Sequence, residues 1–487
     1  MKLFLIGWAE SCPELVETAK ELEDRGHHIV YWARNEEPVA VDHSHFPKTT
    51  FHSYYDARRN IPVEGIACDQ FPYPDPALLE KLAATEILVL TMMNKIYSGV
   101  SVSERQHLFI QFVRYWLGVI DKFKPDLIFF NTTPHAPIYF VLYDLAKILG
   151  IKTAMFEFSW VCSRMIWLAD FRVGSTLLRE NYLSLKSAKL GIEDLPKDFQ
   201  EYYQSHRNPR VDTTPSYLTD GLREYKISQK IKRKIVNLFL SFLKPNEFGK
   251  RLRRFYGNLP TLVRKVSYHF RLNLPRTYNR LTTRPDLNRE FVYVPLHLQP
   301  ECTTNPIGET FQDQIFLIQK LVETLPDGWV IYVKEHPFQW PFYGMGFTED
   351  RYQTYYQRIA SLPRVQLIPV NTSSLELITR AKAVATVSGT AGWEAILRGK
   401  PALVFGHAWY QAAPGVFRIK DLVSCQQAFT AIQNNFAVAA SDTVAFLAAL
   451  DRSSIRGHID ESSRRVSGLK PEDNQKNFVT AFLKILE

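Results

Sequence analysis

The sequence predicts an α/β protein built from two Rossmann-like domains that face a central cleft, with a basic helical arm between them. Three observations lead to this prediction. Strand-like and helical segments alternate over residues 1–160, and the alternation resumes at Phe291. Between them, residues 221–290 change character and become strongly basic. A chain of 487 residues also exceeds the size of one ordinary domain core.

The first domain, predicted over residues 1–220, opens with a strand, a helix and a second strand. The strand is KLFLIGWA, the helix is CPELVETAKELEDRG with a stop at Gly26, and HHIVYWAR follows. Further along, DLIFFN and IKTAMFEF predict strands on either side of the helix IYFVLYDLAKILG. This alternation is typical of a parallel sheet covered by helices on both faces.

The second domain, predicted over residues 291–470, repeats the same alternation. Its predicted strands are FVYVPLHLQ, WVIYVKEHP, VQLIPV, AVATVSG and PALVFG, and each pair of neighbours is separated by a helical segment. The amphipathic helix NQKNFVTAFLKILE, within residues 471–487, is expected to pack back on the first domain.

The basic arm from Leu222 to Glu290 contains eighteen lysines or arginines and four acidic residues. Its basic residues alternate with Leu, Ile, Val and Phe at helical spacing, as in KIKRKIVNLFLSFLK. Such helices suit an anionic membrane surface or an acidic glycan. A solvated arm between the domains is the alternative. Nucleic acid is a weaker partner for this segment, because no nucleic-acid motif accompanies the charge.

The cysteine spacing and the apolar runs of the sequence indicate which kinds of site are absent and in which compartment the protein acts. The cysteines are Cys12, Cys68, Cys162, Cys302 and Cys425, and their scattered spacing argues against a disulfide framework and a structural zinc site. The N-terminus reads as a first strand, since acidic residues follow it and no small-residue cleavage site does. No apolar run reaches the roughly 18–20 residues of a membrane span. We therefore expect a cytoplasmic protein, peripheral at most at the inner face of the cytoplasmic membrane.

Polar residues follow the predicted strand WVIYVK in the segment KEHP. Lys334 and His336 lie two residues apart and should point to the same side, and Pro337 ends the strand. Ligands bind beyond the carboxyl ends of parallel strands in open α/β sheets. An imidazole and an ammonium group there suit a phosphate; the simpler reading is a histidine that caps a turn.

The segment NTSSLELI places Ser373 and Ser374 at a predicted helix start. Either serine can be an N-cap, with Glu376 reinforcing it. A helix start is also a place where anions bind, so both serines are candidate ligand contacts.

The segment VSGTAGWEAILRGKP has the most specific pattern. Ser388, Gly389 and Thr390 join a buried strand to a helix, and Gly389 lets the backbone approach a ligand closely. The amides at the helix start and the two hydroxyls can hold a phosphate. Glu394 lies about one turn further on, where its carboxylate suits a ribose diol. Alternatively, the charge of Glu394 interacts favourably with the helix dipole near the N-terminus of the helix.

The first domain should supply the acceptor site and a catalytic carboxylate. Glu10 lies in the loop after the first strand, Glu157 at the end of IKTAMFEF, and His135 after DLIFFN. A carboxylate at this edge can act as a general base or as a nucleophile at an anomeric carbon. Each of the three residues has a simpler alternative, namely a hydrogen bond that orders its loop or a contact between domains.

KEHP, followed about fifty residues later by SGTAGWEAILRGKPALVFGHAWY, resembles the bacterial capsule polysaccharide biosynthesis family, which includes the retaining Kdo transferases. The resemblance covers mainly Phe291 to about Asp421. It implies a GT-B fold, with the donor nucleotide on the C-terminal domain and the acceptor on the N-terminal domain. It also implies that His336 meets the donor phosphate, that Ser388 and Thr390 assist, and that Glu394 binds ribose.

The same resemblance implies a CMP-linked donor, as the Kdo transferases use, and catalysis without a bound metal or another cofactor. It also implies work at the cytoplasmic face of the membrane, where the basic arm would hold the protein near a lipid-linked acceptor. The first half of the chain matches no motif of those transferases, so the resemblance transfers no catalytic carboxylate.

The prediction from sequence is a glycosyltransferase that moves a sugar, with CMP-Kdo as one candidate donor, to a glycan or lipid-linked acceptor in surface polysaccharide assembly. Three alternatives on the same fold stay open. A UDP-sugar 2-epimerase would carry further carboxylates and an arginine where this chain has FGHAWYQAAPG. A polyol-phosphate transferase would carry an acidic residue in place of Gly389. The last alternative is a non-catalytic glycan-binding protein.

Overall fold

The computed structural model describes residues 1–34, 39–97, 99–208, 211, 273–340 and 350–486. These residues form one seven-stranded sheet and one six-stranded sheet, with helices packed around both. The predicted α/β class with two Rossmann-like domains is confirmed. Most of the predicted basic arm, residues 221–272, lies outside the described residues.

The strands are numbered here in chain order across both sheets. They are β1 (Lys2–Ile6), β2 (His28–Arg34), β3 (Thr50–Ser53), β4 (Leu127–Phe130), β5 (Lys152–Phe158), β6 (Arg164–Leu168), β7 (Phe291–Pro295), β8 (Val330–Lys334), β9 (Val365–Leu367), β10 (Ala383–Thr386), β11 (Ala402–Val404), β12 (Val416–Arg418) and β13 (Ile455–Arg456).

The α-helices of the described residues are numbered in the same way. They are α1 (Glu14–Asp24), α2 (Tyr54–Ala57), α3 (Pro76–Lys81), α4 (Ala83–Met92), α5 (Val102–Phe123), α6 (Pro137–Ile148), α7 (Thr176–Leu185), α8 (Lys197–Arg207), α9 (Leu274–Leu281), α10 (Gln314–Thr324), α11 (Tyr355–Ala360), α12 (Ser374–Arg380), α13 (Thr390–Leu397), α14 (Leu422–Gln433), α15 (Ala440–Ser453), α16 (Glu461–Ser467) and α17 (Pro471–Leu486).

The first sheet has the strand order β13-β6-β5-β4-β1-β2-β3. Its strands from β5 to β3 are parallel, and the opening unit β1-α1-β2 is the one predicted. Gly26 follows α1 with a φ of +84°, a left-handed conformation that suits glycine and ends the helix. The far edge departs from the parallel prediction, because β6 and β13 each run antiparallel to their neighbour.

The second sheet has the strand order β12-β11-β10-β7-β8-β9, and all its pairs are parallel. Side chains alternate between two buried clusters along β7. Val292 and Val294 join one cluster, and Phe291 and Tyr293 join the other. Both faces of the sheet are therefore covered, which explains why its strands read as continuous apolar runs.

The C-terminal segment returns to the first sheet. Strand β13 pairs with β6, and the return therefore begins ahead of the predicted domain limit at residue 470. Helix α17 then packs on the first sheet, where the Trp8 ring centroid lies 5.3 Å from that of Phe478 and 5.1 Å from that of Phe482. Among the described helices, none combines the length and the apolar character that crossing a lipid bilayer requires.

Candidate active site

The candidate site forms where β10, β7 and β8 end side by side in the second sheet. Carboxyl ends of parallel strands meet at one edge, so three segments come together here. The segment after β10 contains Ser388, the segment after β8 contains His336, and the segment after β7, which lies between them, contains His297. His297 was not among the residues singled out from the sequence.

His297 is a buried neutral histidine that orders the turn after β10. Burial lowers the pKa of its imidazole to about 3. Its Nε2 accepts a hydrogen bond from the Val387 N–H at 3.2 Å and lies 2.8 Å from Oγ1 of Thr386. A Cβ atom placed on Gly389 would lie 2.9 Å from Cε1 of the same ring. The glycine is therefore required by the close approach of its backbone to His297.

Three hydrogen bonds hold the turn from Ser388 to Thr390 in place. The Gly389 N–H donates to Oγ1 of Thr386 at 3.1 Å, and the Tyr410 hydroxyl donates to the Gly389 carbonyl at 2.5 Å. The Ser388 hydroxyl donates to the Thr303 carbonyl at 2.7 Å. Thr390 then begins α13, whose N-cap, Gly389, has no side chain to cap the N–H groups of the first turn. This helix start can bind an anion, whereas the Ser388 hydroxyl donates to protein instead.

Lys334 is a buried lysine at the end of β8. Its Nζ donates to the Thr372 carbonyl at 2.8 Å and to the hydroxyl of Ser374. Burial lowers the pKa of its ammonium group to about 8, and the charge of Glu394 opposes that shift. The structure thus brings together Lys334, Ser374 and Glu394, which the sequence analysis placed in separate clusters.

Ser373 is the N-cap of α12. Its Oγ accepts a hydrogen bond from the Glu376 N–H at 3.2 Å, which is the capping alternative raised by the sequence. Ser374, one residue later, faces Lys334 instead and lies 3.4 Å from the hydroxyl of Tyr293. The two adjacent serines therefore have different surroundings.

His336 is a neutral histidine in the part of the chain that follows β8. Burial lowers the pKa of its imidazole to about 4, and the neighbouring Glu335 opposes the shift. Its Nδ1 accepts a hydrogen bond from the Phe338 N–H at 3.2 Å, so the ring proton is on Nε2. At neutral pH this side chain can donate a hydrogen bond to a phosphate, but it brings no positive charge.

A buried ion pair between Glu335 and Arg351 ties the ends of β7 and β8 together. Arg351 Nε lies 2.8 Å from Oε2 of Glu335, and Arg351 Nη2 donates to the His297 carbonyl at 2.9 Å. Glu335 Oε1 also accepts from the His336 N–H at 2.7 Å, and the Tyr356 hydroxyl donates to Oε2 at 2.7 Å. Sequence reasoning missed this pair, because no local pattern links two residues sixteen positions apart.

The first domain contributes Glu157, which lies at the end of β5. Burial raises the pKa of its carboxyl group to about 7, and a 3.4 Å hydrogen bond from the Thr133 hydroxyl opposes the shift. Burial has the largest effect in raising the pKa of the Cys302 thiol, and the charge of Glu157 raises it further. Cys302 belongs to the second domain and its Sγ lies 3.9 Å from the Thr133 carbonyl, so Glu157 faces the second domain.

His135 and Glu10 lie at the same edge of the first sheet but have different neighbours. Nδ1 of His135 lies 3.1 Å from the Thr133 carbonyl. Burial, followed by the charge of Lys95, lowers the pKa of the His135 imidazole. Burial has the largest effect in raising the pKa values of Tyr54 and Tyr139, and the charge of Glu10 raises both further.

The segment 299–305 connects the two halves of the site. Thr303 accepts the hydrogen bond from Ser388, and Cys302 contacts Thr133 beside Glu157. The same segment, together with His135 and residues from α4, α10 and α11, lines a cavity of about 250 Å³. Ligands bind beyond the carboxyl ends of parallel strands, so the position of this segment after β7 could have identified it. Its residues alone match no ligand-binding pattern.

Two facing Rossmann-like domains with a polar site at the carboxyl ends of their strands define a GT-B protein. The model of the family described as capsule polysaccharide biosynthesis protein matches residues 215–449. This match confirms the resemblance predicted from KEHP and SGTAGWEAILRGKP. A search of curated proteins found no match.

Several solved structures overlay on this chain at low identity. The β-Kdo 2,7 transferase KpsC from Thermosulfurimonas dismutans is 12% identical with a TM-score of 0.29, covering 80% of this chain and 95% of its own. Anabaena HepE in complex with UDP-glucose is 12% identical with a TM-score of 0.28, covering 99% of each chain. The UDP-GlcNAc 2-epimerase from Methanocaldococcus jannaschii is 12% identical with a TM-score of 0.26, covering 93% and 99%.

Proposed function

We propose that this protein is a glycosyltransferase that moves a sugar from a nucleotide donor to a glycan or lipid-linked acceptor in capsular polysaccharide assembly. The observation on which the proposal depends is the cluster formed by Lys334, His336, the start of α13 and Glu394 at the carboxyl edge of the second sheet. This cluster lies in the region that matches the capsule biosynthesis family. Kdo from CMP-Kdo is one candidate donor.

The donor half of the proposed mechanism is electrostatic. As the bond to the sugar breaks, negative charge grows on the nucleotide phosphate that leaves. Lys334, which is mostly protonated at pH 7, supplies a positive charge, and Nε2 of His336 and the amides at the start of α13 supply hydrogen bonds. Glu394 accepts hydrogen bonds from the ribose hydroxyls. These groups are already held by protein contacts, so little reorganisation accompanies the reaction.

The acceptor half requires a group that takes a proton from the attacking hydroxyl or attacks the anomeric carbon itself. Glu157 suits either role, because a carboxylate with a pKa of about 7 is a stronger base than an ordinary glutamate. His135 and Glu10 are the other candidates at this edge. The position of Glu157 opposite Cys302 of the second domain favours it over Glu10.

We further propose that catalysis proceeds without a metal ion at this site, because lysine and helix amides can take over the role of a metal at the leaving phosphate. Attachment to the inner face of the membrane is a separate proposal. It rests on the basic composition of residues 222–290, of which residues 273–290 are described.

Nucleotide release measured with CMP-, UDP- and GDP-linked sugars, with and without glycan acceptors, tests the proposal. We expect one donor class to be consumed, faster when an acceptor is present, and the sugar to appear on the acceptor by mass spectrometry. Conversion of a UDP-sugar to its 2-epimer would instead identify the epimerase alternative. Nucleotide binding with no turnover of any donor would favour the glycan-binding alternative.

A further inference from the structure

We propose that Cys12, Glu14 and His458 bind a zinc ion that joins the start of α1 to the returning C-terminal segment. The ligand atoms of these three side chains lie within 4.8 Å of one another, and all three residues are buried. Thiolate, carboxylate and imidazole are the groups that zinc binds in proteins. The inference goes beyond the proposed glycosyl transfer and does not depend on it.

The three ligands come from distant parts of the sequence. Cys12 and Glu14 lie at the start of α1, and His458 lies between β13 and α16 in the returning C-terminal segment. Glu14 Oε1 and His458 Nε2 are 2.6 Å apart, although 444 positions separate the residues in the chain. The cysteine spacing predicts no zinc site, because no two cysteines lie close together in the sequence. The fold instead brings Cys12 next to a glutamate and a histidine.

Neighbouring side chains orient the ligands as they do in known zinc sites. Nδ1 of His458 lies 2.7 Å from the Ser467 hydroxyl, which also lies 3.2 Å from the Arg464 carbonyl. Nε2 of His458 then points at Glu14. The side-chain amide of Asn474 donates to Oε1 of Glu14 at 3.1 Å. Hydrogen bonds from a second layer of residues, such as these to His458 and Glu14, are characteristic of metal sites.

Charge and distance are both compatible with zinc. A divalent ion bound by one thiolate, one carboxylate and one neutral imidazole gives a buried cluster with no net charge, which avoids the cost of burying an unpaired charge. At zinc bond lengths of about 2.0–2.3 Å, tetrahedral ligand atoms lie roughly 3.3–3.6 Å apart. The Glu14 and His458 atoms would separate slightly and Cys12 would approach them. A water molecule would take the fourth position.

Metal analysis of the full-length, tag-free protein tests this inference. After expression with zinc and dialysis against a weak chelator, we expect about one zinc per chain, and loss of that zinc in Cys12→Ser and in His458→Asn. Cys425→Ser is the matched control and should keep its zinc, because Cys425 is also buried but lies in the second domain against Thr324. Thermal unfolding of each variant establishes that it is folded.

Cobalt substitution gives a readout that does not depend on a variant that folds. Co²⁺ bound at this site should show sulfur-to-cobalt charge-transfer absorption in the wild-type protein and in Cys425→Ser. Wild-type protein that contains no zinc and takes up no cobalt would overturn the inference. Zinc that stays bound in folded Cys12→Ser and His458→Asn would also overturn it, and the cluster would then be a hydrogen-bonded contact alone.

Discussion

The hydroxyl of Ser388 donates a 2.7 Å hydrogen bond to the carbonyl oxygen of Thr303. This contact joins the turn at the start of α13 to the segment that faces Glu157 of the first domain. The proposed donor and acceptor halves are therefore linked through backbone and side-chain contacts. In Ser388→Ala we expect a modest loss of turnover, up to about tenfold, since one neutral hydrogen bond contributes roughly 1 kcal/mol. Steady-state kinetics of donor consumption measure this effect, and an unchanged rate would mean that the link has no role in transfer.

Removing the charge of Lys334 should weaken donor binding. We expect Lys334→Gln to raise the nucleotide Kd roughly 10- to 100-fold, because hydrogen bonds to charged groups contribute about 1.5–3 kcal/mol. Calorimetric titration with the donor nucleotide measures this. The matched control is Lys382→Gln, which removes a lysine that pairs with Glu290 on the surface of the same domain and should leave the Kd unchanged. Equal Kd values for both variants would exclude Lys334 from the donor site.

The pH dependence of kcat/KM should be bell-shaped with a narrow maximum between about pH 7 and pH 8. Glu157 must be ionised to act, so the rate rises with pH through its pKa of about 7. Lys334 must be protonated to hold the phosphate, so the rate falls as pH rises through its pKa of about 8. Lys334→Arg should move the alkaline limb to higher pH. A profile that is flat from pH 6 to pH 9 would contradict both assignments.

Replacing Glu157 separates binding from chemistry. In Glu157→Gln we expect turnover to fall roughly 10²- to 10⁴-fold and the acid limb of the profile to disappear, while the donor Kd stays the same. Rapid-quench measurement of a single turnover gives the chemical step directly. The same substitution at Glu10 should have a smaller effect, because Glu10 lies among Tyr54 and Tyr139. If Glu10→Gln has the larger effect, the catalytic carboxylate is Glu10.

The ion pair between Arg351 and Glu335 should be needed for the stability of the folded protein. Removing one partner leaves a buried charge, and we expect Arg351→Met to lower the free energy of unfolding by about 3–5 kcal/mol. Lys320→Met breaks a surface pair with Glu323 and should cost about 0–1 kcal/mol. Chemical denaturation of the variants measures both values. A loss in Arg351→Met no larger than that of Lys320→Met would show that the buried pair is unimportant for stability.

Sequence reasoning identified the architecture, and it singled out the segments that we propose for donor binding, because both depend on local patterns. Apolar alternation predicted the strands, and polar residues after them predicted where Lys334, His336 and Glu394 would meet. It missed His297, Arg351 and the segment 299–305, because their importance arises from contacts between distant parts of the chain. The phosphate contact of Ser388 stays a prediction, and in the structure that hydroxyl donates to the Thr303 carbonyl.

The structure of the protein with a bound donor nucleotide tests the central claim most directly. We predict that a phosphate oxygen lies within hydrogen-bond distance of His336 Nε2 and of the amides at the start of α13, with Lys334 nearby and the ribose hydroxyls at Glu394. The sugar should then face Glu157 across the cleft. A nucleotide bound away from this edge of the second sheet, or with its phosphate remote from both His336 and α13, would contradict the account.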